Sequence, residues 1–167
     1  MAALTQQQLA ALKAVIDADP ALAAQPNNSD GAFAIAAALN QSASPAWVVW
    51  KTVVTREEVL QNGFDWTRLD NLSVGKARVW NDIFVNGVLN ASKPNVRTGI
   101  DSVWVGTAAD LAVRAAVYVH CKRNATRAQK ALSSGTGSDA TPATLDSNID
   151  QDFQLTYDDV TQARNFG

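Results

Sequence analysis

At four places read as helix starts a threonine stands three residues ahead of a Gln, Glu or Asp: Thr5 with Gln8, Thr55 with Glu58, Thr107 with Asp110, and Thr156 with Asp159. In this spacing the hydroxyl accepts from the backbone N–H of the third helical residue. That residue's side chain reaches back to the threonine N–H, so two donors orphaned at a helix start are satisfied together. Stops are equally plain. Asp19 precedes Pro20 and is pushed out of the helical region, while Gly63, Gly87 and Gly106 offer the left-handed residue that ends a helix. A chain cut so often into capped helical lengths, with no strong alternating pattern, is read as all-α, a multi-helix bundle.

The pattern places most elements. Leu9, Leu12, Val15 and Ile16 share one face of a first helix. A turn at 25–31 leads to an alanine-rich helix at 32–39. Residues 47–54 are ambiguous, since their β-branched content suits a strand. The Ser44-Pro45 start, an N-cap followed by proline at the first helical position, favours a short buried helix. Asp65 caps a helical turn. Ser73 caps a helix at 74–86, with Val79, Ile83 and Phe84 as the core stripe and Trp80 at its flank. Ser92-Lys-Pro94 opens another helix, whose Val96, Ile100, Val103 and Trp104 face one side.

From Thr107 to Leu132 the spacing predicts one long helix, with Leu111, Ala115, Tyr118, Cys121, Ala125, Ala128 and Leu132 as its apolar face. Ser133 to Pro142 is rich in Gly, Ser and Thr. The chain is therefore read as a helical body, 1–132, and an extended, flexible C-terminal arm, 133–167, ending in a short helix carrying Val160 and Ala163. Phe153 and Leu155 would dock the arm on the body or on a neighbour.

The charge is blocked rather than large. The net charge is −2 over 167 residues, so there is no bulk attraction to nucleic acid. The long helix carries Arg114, Lys122, Arg123, Arg127 and Lys130, with no acid between Asp110 and Asp139. Six aspartates and no cation follow from Asp139 to Asp159. Such blocks are ordinarily solvated surface. The sharper reading sets the basic end of one subunit against the acidic end of another, or against DNA. Arg127 and Lys130 also have a simpler cause, since the macrodipole favours cations near a helix C-terminus.

Catalytic chemistry finds little support. His120 is the only histidine and Cys121 the only cysteine. Neighbours on a helix diverge by about 100° and cannot act as a pair. One His and one Cys cannot build a zinc site, and no internal disulfide can form. Gly75-Lys76 is followed by Ala77 rather than Ser or Thr, so it is no P-loop. Asp150 and Asp152 lack the spacing of a calcium loop. The expectation is a non-enzyme with no catalytic residue, cofactor or metal. The start has no basic and apolar leader pattern, and no run is long enough to span a membrane, which predicts a reducing, intracellular site of synthesis. The five tryptophans suit core packing, with each indole N–H finding a partner, or interface anchoring. They do not interleave with the cations, which argues against a single-strand stacking platform.

Three stretches together carry a likeness: Leu72-Ser-Val-Gly-Lys-Ala-Arg78-Val-Trp80; Asn95-Val-Arg-Thr-Gly-Ile100; and Asn124-Ala-Thr-Arg-Ala-Gln-Lys130 running into Gly135-Thr-Gly137 and Thr141-Pro-Ala-Thr144. With them the chain, from about Trp47 onward, resembles the head–tail connector (adaptor) proteins of tailed bacteriophages. The resemblance implies a helical virion structural protein in the neck at the head–tail junction, made in the host cytoplasm. It implies a homo-oligomeric ring, usually dodecameric, beneath the portal protein. Terminal arms would clasp the portal or the next neck or tail protein, and packaged DNA would pass through the lumen with only non-specific proximity. A tail-completion or capsid decoration protein is the alternative. On this reading Arg114, Lys122, Arg123, Arg127, Lys130, Gly135, Gly137, Phe153 and Phe166 are the interface or lumen candidates.

Overall fold

A computed structural model describes residues 3–61 and 63–167; Met1 and Ala2, part of the chain start read above, and Asn62 lie outside them. In chain order the elements are α1 (Gln6–Ala18), α2 (Pro20–Ala23), α3 (Ser29–Leu39), β1 (Val48–Trp50), β2 (Val54–Thr55), α4 (Arg56–Val59), α5 (Trp66–Asp70), α6 (Val74–Asp82), β3 (Val88–Leu89), α7 (Pro94–Val103), α8 (Ala108–His120), β4 (Lys122–Asn124), α9 (Arg127–Ala131), β5 (Ser133–Ser134), β6 (Thr144–Leu145) and α10 (Tyr157–Arg164). The protein is mostly helical. Its strands form short two-stranded ladders, so the all-α reading holds only for the bulk of the chain.

All four capping boxes form, at the starts of α1, α4, α8 and α10. At the first, Thr5 N donates to Gln8 Oε1 at 2.9 Å and Gln8 N donates to Thr5 Oγ1 at 3.3 Å. Asp65 caps α5 and Ser73 caps α6, as their positions predict.

The chain divides into two compact units. One joins the segment up to Val49 with the segment from Asn124; the other runs from Trp50 to Arg123.

In the first unit α10 packs on α1 and α3, and α9 packs on α1. Leu12, Ile16, Ile35, Leu39, Leu132 and Val160 are buried at its centre. The flexible arm is overturned here. Ser133 pairs with Leu145 and Ser134 with Thr144 in an antiparallel hairpin. Leu145, Ile149, Phe153 and Leu155 are core residues. The backbone that follows is also tied down: Asn40 donates to Leu155 O at 2.9 Å and accepts from Leu155 N at 2.8 Å. Gln8 Nε2 donates to Asp146 Oδ2 at 2.9 Å. The Gly/Ser/Thr composition suggested disorder, but the apolar residues after it are enough to bury the segment. Limited proteolysis is therefore expected to show no preferential cleavage between Leu132 and Asp150. Rapid release of a C-terminal fragment would contradict this packing.

Residues 48–50 form a strand, not the expected helix, and the Ser44–Pro45 peptide is cis. Neighbouring backbone satisfies this stretch: Ala125 N donates to Trp47 O at 2.8 Å, Val48 N to Gly137 O at 2.7 Å, and Ala143 N to Val48 O at 2.8 Å. β-Branched residues fit such a pleated, half-buried position better than a helix.

In the second unit α6 packs on α7, and α4 on α8. Trp80 and Trp104 are fully buried, so Trp80 is the centre of the α6 face rather than its flank, while Val79 and Ile83 are only partly buried. Trp80 meets Trp104 edge to face at 5.2 Å, and Phe64 and Phe84 close around it at 5.9 and 5.1 Å. α6 ends four residues earlier than expected. Asn86 and Gly87, at φ 53° and 78°, form the turn that brings Val88 and Leu89 opposite Thr55 and Val54. Asn-Gly is the favoured pair where two successive residues take positive φ.

The long helix is also broken. α8 ends at His120, β4 follows, and α9 begins afresh from a fifth capping box in which Thr126 accepts from Gln129 N at 3.1 Å. Its buried face is Asp110, Val113 and Val117, leading to Cys121, whereas Leu111 and Ala115 are exposed. Apolar residues lie nearly all round α8, so periodicity alone could not select the inward side.

Candidate functional site

Because β4 interrupts the expected helix, the five candidate cations do not share one helical surface. Arg114, Lys122 and Arg123 belong to the second unit, and Arg127 and Lys130 to the first. The other candidates are all in the first unit. Phe153 is interior and Phe166 packs partly buried on the same core, so Phe153 serves the unit's own packing rather than an interface. Gly137 is buried too.

Arg127, Lys130 and Gly135 do come together. With Ser44, Trp47 and Ser133 they line an open cleft of about 470 Å³ in the first unit. The α9 helix sets Arg127 and Lys130 three residues apart, on one side of one turn. Trp47 forms the wall between them and the hairpin. Its Nε1 donates to Ser133 Oγ at 2.9 Å, and Ser133 Oγ in turn donates to Lys130 O at 2.9 Å. Gly137, at φ 64°, lies against the indole so closely that no Cβ would fit. The Lys130 ammonium sits 5.0 Å from the ring centroid, a cation–π contact. Arg127 Nη2 lies 2.6 Å from Asp19 Oδ2, and this bond is the largest of the causes that hold the Asp19 carboxyl below its ordinary range. Trp47 is one of the five tryptophans that suit core packing or interface anchoring, and here it is partly buried against the core of the first unit. Of the two nearby glycines, Gly137 approaches the Trp47 ring, whereas Gly135 lies against Ala143, and both take positive φ.

The second unit has its own basic and aromatic cluster. Arg97 lies over Trp50 at 4.8 Å while Nη1 donates to Ala91 O at 2.7 Å and Ser92 O at 2.8 Å. The Tyr118 hydroxyl is 3.0 Å from Asp101 Oδ1, and Arg114 Nη1 is 3.5 Å from the same oxygen. Burial, reinforced by Asp101, raises the Tyr118 phenol. Arg114 thus spends its charge within its own unit. In three dimensions cations do lie on tryptophan rings in both units, which the linear sequence did not suggest.

Arg68 Nε donates to Asp110 Oδ1 at 3.0 Å, and Thr107 Oγ1 donates to Asp110 Oδ2 at 2.8 Å. These bonds, Arg68 first, hold the Asp110 carboxyl down at about 2 from its ordinary 3.8. A depressed carboxyl stabilises the fold fully above the unfolded value and loses that contribution as pH falls through the folded one. Stability of the wild type is therefore expected to fall as pH drops from 3.8 through about 2, and Asp110→Asn to flatten that slope, as read by urea midpoints across pH. An equal slope in both proteins would refute the assignment.

His120 closes α8 and Cys121 is its C-cap. Cys121 is fully buried, and burial pushes its thiol up to about 12. A thiol-specific reagent should leave it unmodified in the native protein and label it once the chain is denatured; labelling at the same rate in both states would contradict its burial. Among the described residues no cluster of three His, Cys, Asp or Glu could hold a metal ion, and no helix is long and apolar enough to cross a membrane. What the first-unit cleft can do is bind: it offers two cations, a tryptophan and backbone at a hairpin edge. No protein-family model, curated protein or solved structure matches the chain.

Proposed function

We propose that this chain is a structural protein of a tailed-bacteriophage virion, a head–tail adaptor whose copies form a ring beneath the portal with DNA passing through the lumen. The observation that carries the reading is the behaviour of the stretches that bear the resemblance. Leu72–Trp80 and Asn95–Ile100 supply the packed α6–α7 pair, where Gly99 lets the helices approach so closely that a Cβ would lie 3.0 Å from Ile83. The third stretch builds the α9 and hairpin walls of the Trp47 cleft. The likeness thus includes core residues of both units, Trp80 and Ile100 in the second and Ala125, Ala128 and Ala143 in the first, beside exposed positions such as Val74. Two further features support an assembly role. Large apolar side chains stay exposed, with Val74 at 88%, Val119 at 69%, Val85 at 67% and Trp66 at 56%. On this reading the contacts between subunits come from folded surfaces, since the C-terminal segment packs on the core of its own unit.

The test is compositional and then structural. Mass spectrometry of purified particles should find the chain at a ring's copy number relative to the portal, and a cryo-EM reconstruction should place it in the neck. Its absence from particles, or its distribution over the capsid lattice, would overturn the reading.

A further inference from the structure

We infer that the Trp47–Lys130 cleft receives the Asp150–Asp152 turn of a second copy of this chain, head to tail. The inference rests on the reading that copies assemble with one another, and it names the surfaces.

The cleft carries an unmatched positive charge. Arg127 is met by Asp19, but Lys130 has no carboxylate partner among the described residues, and its ammonium sits over an indole. A cation held in this way is positioned without being neutralised, and a carboxylate entering the cleft would complete it.

The same unit presents a matching knob. Asp150 and Asp152 are exposed on either side of Gln151, and hydrogen bonds hold the turn. Asp152 N donates to Asp150 Oδ1 at 3.0 Å, and Phe153 N donates to Asp150 O at 3.3 Å. Phe153 anchors the turn in the core. From below, the buried Gln129 amide donates to Gln151 O at 3.1 Å and to Phe153 O at 3.4 Å. A preformed loop loses little entropy on docking. Four other acids of the unit are engaged at home, Asp17 with Lys13, Asp19 with Arg127, Asp146 with Gln8, and Asp159 in its capping box, whereas Asp30, Asp139 and Asp158 are exposed as well.

The direction of the contact follows from α9. At 3.6 residues per turn, Gln129 projects roughly 130° away from the mean direction of Arg127 and Lys130. The turn held by Gln129 and the cleft lined by Arg127 and Lys130 therefore lie on different sides of one helix. A copy cannot place its own turn in its own cleft, and two copies related by a two-fold axis are not required. Joining knob to cleft makes a heterologous contact, which repeats around a ring.

The test uses the full-length chain. Equal amounts of nitrogen-14 and nitrogen-15 protein are mixed at low salt and treated with a carbodiimide, which joins an amine to a carboxylate in direct contact. Mass spectrometry then separates products between copies from those within one. The expected result is mixed-isotope peptides joining Lys130 to Asp150 or Asp152, lost at high salt. Sedimentation gives a second readout. Lys130→Glu alone, and Asp150→Lys with Asp152→Lys alone, should each weaken self-association by about tenfold or more, and an equimolar mixture of the two variants should restore it. Mixed-isotope products only at other residue pairs, failure of the mixture to recover, or no mixed-isotope product at all would each overturn this contact. The neck reading is tested on particles rather than on purified protein, so either can fail alone.

Discussion

Trp80→Ala is expected to unfold the second unit. Trp80 is fully buried and is the ring on which Phe64, Phe84 and Trp104 converge. Removing a buried indole costs about 3–5 kcal/mol, because the cavity is only partly refilled. Whole domains are stable by roughly 5–15 kcal/mol, so one such loss can consume most of the margin. The expected observation is a large drop in denaturant midpoint, with loss of near-ultraviolet dichroism from the aromatic cluster. Trp80→Phe should cost far less. Neither Trp80 nor Trp104 finds an acceptor for its indole N–H among the described residues, so phenylalanine keeps the edge-to-face contacts and removes an unsatisfied donor. Equal losses in the two variants would show that the indole N–H contributes in a way these contacts do not explain.

The second large effect is expected at Gly137. Its φ of 64° is a left-handed conformation, and an added Cβ would enter the Trp47 ring. For alanine the conformation alone costs about 1–2 kcal/mol, and overpacking adds about 1–3 kcal/mol. Gly137→Ala should therefore lower stability by several kcal/mol and shift the Trp47 ring, with Gly137→Val worse. Gly75 is the internal control. It lies in α6 with nothing within 4 Å of its would-be Cβ, so Gly75→Ala should be neutral or stabilising by up to about 1 kcal/mol. Urea titrations of the three variants check both statements; equal effects at the two glycines would refute the packing argument.

These two residues show how far the sequence could be read. The sequence pattern puts Trp80 on the right helix but at the edge of its face, since the apolar periodicity runs past the end of α6 at Asp82. By sequence Gly137 falls in the Gly/Ser/Thr-rich stretch that reads as a flexible arm, and it is an interface or lumen candidate. The structure uses it for the opposite purpose, to bring backbone against an indole. The fifth capping box, Thr126 with Gln129, was legible by the same rule as the other four. It lies inside an apolar pattern that continues through it, so periodicity alone hides the break. The two cations that do line a cleft, Arg127 and Lys130, sit just after that box, and splitting the helix there would have separated them from Arg114, Lys122 and Arg123.

What the sequence by itself determined is the set of places where the backbone must start or stop a helix. A hydroxyl three residues ahead of an amide or carboxylate, or a proline or glycine at a boundary, acts through bonds within one turn, and the structure honours these at α1, α4, α8 and α10. What only the tertiary structure decided is which side of each element faces inward, whether residues 48–50 and 122–124 are helix or strand, and whether the chain after residue 132 is free or packed. Those outcomes depend on partners distant in sequence: Asn40 on Leu155, Gln129 on Gln151, and Trp47 on Gly137. Local propensities differ by about 1 kcal/mol or less per residue. A buried contact or a satisfied buried polar group is worth at least as much and is decided by the whole fold.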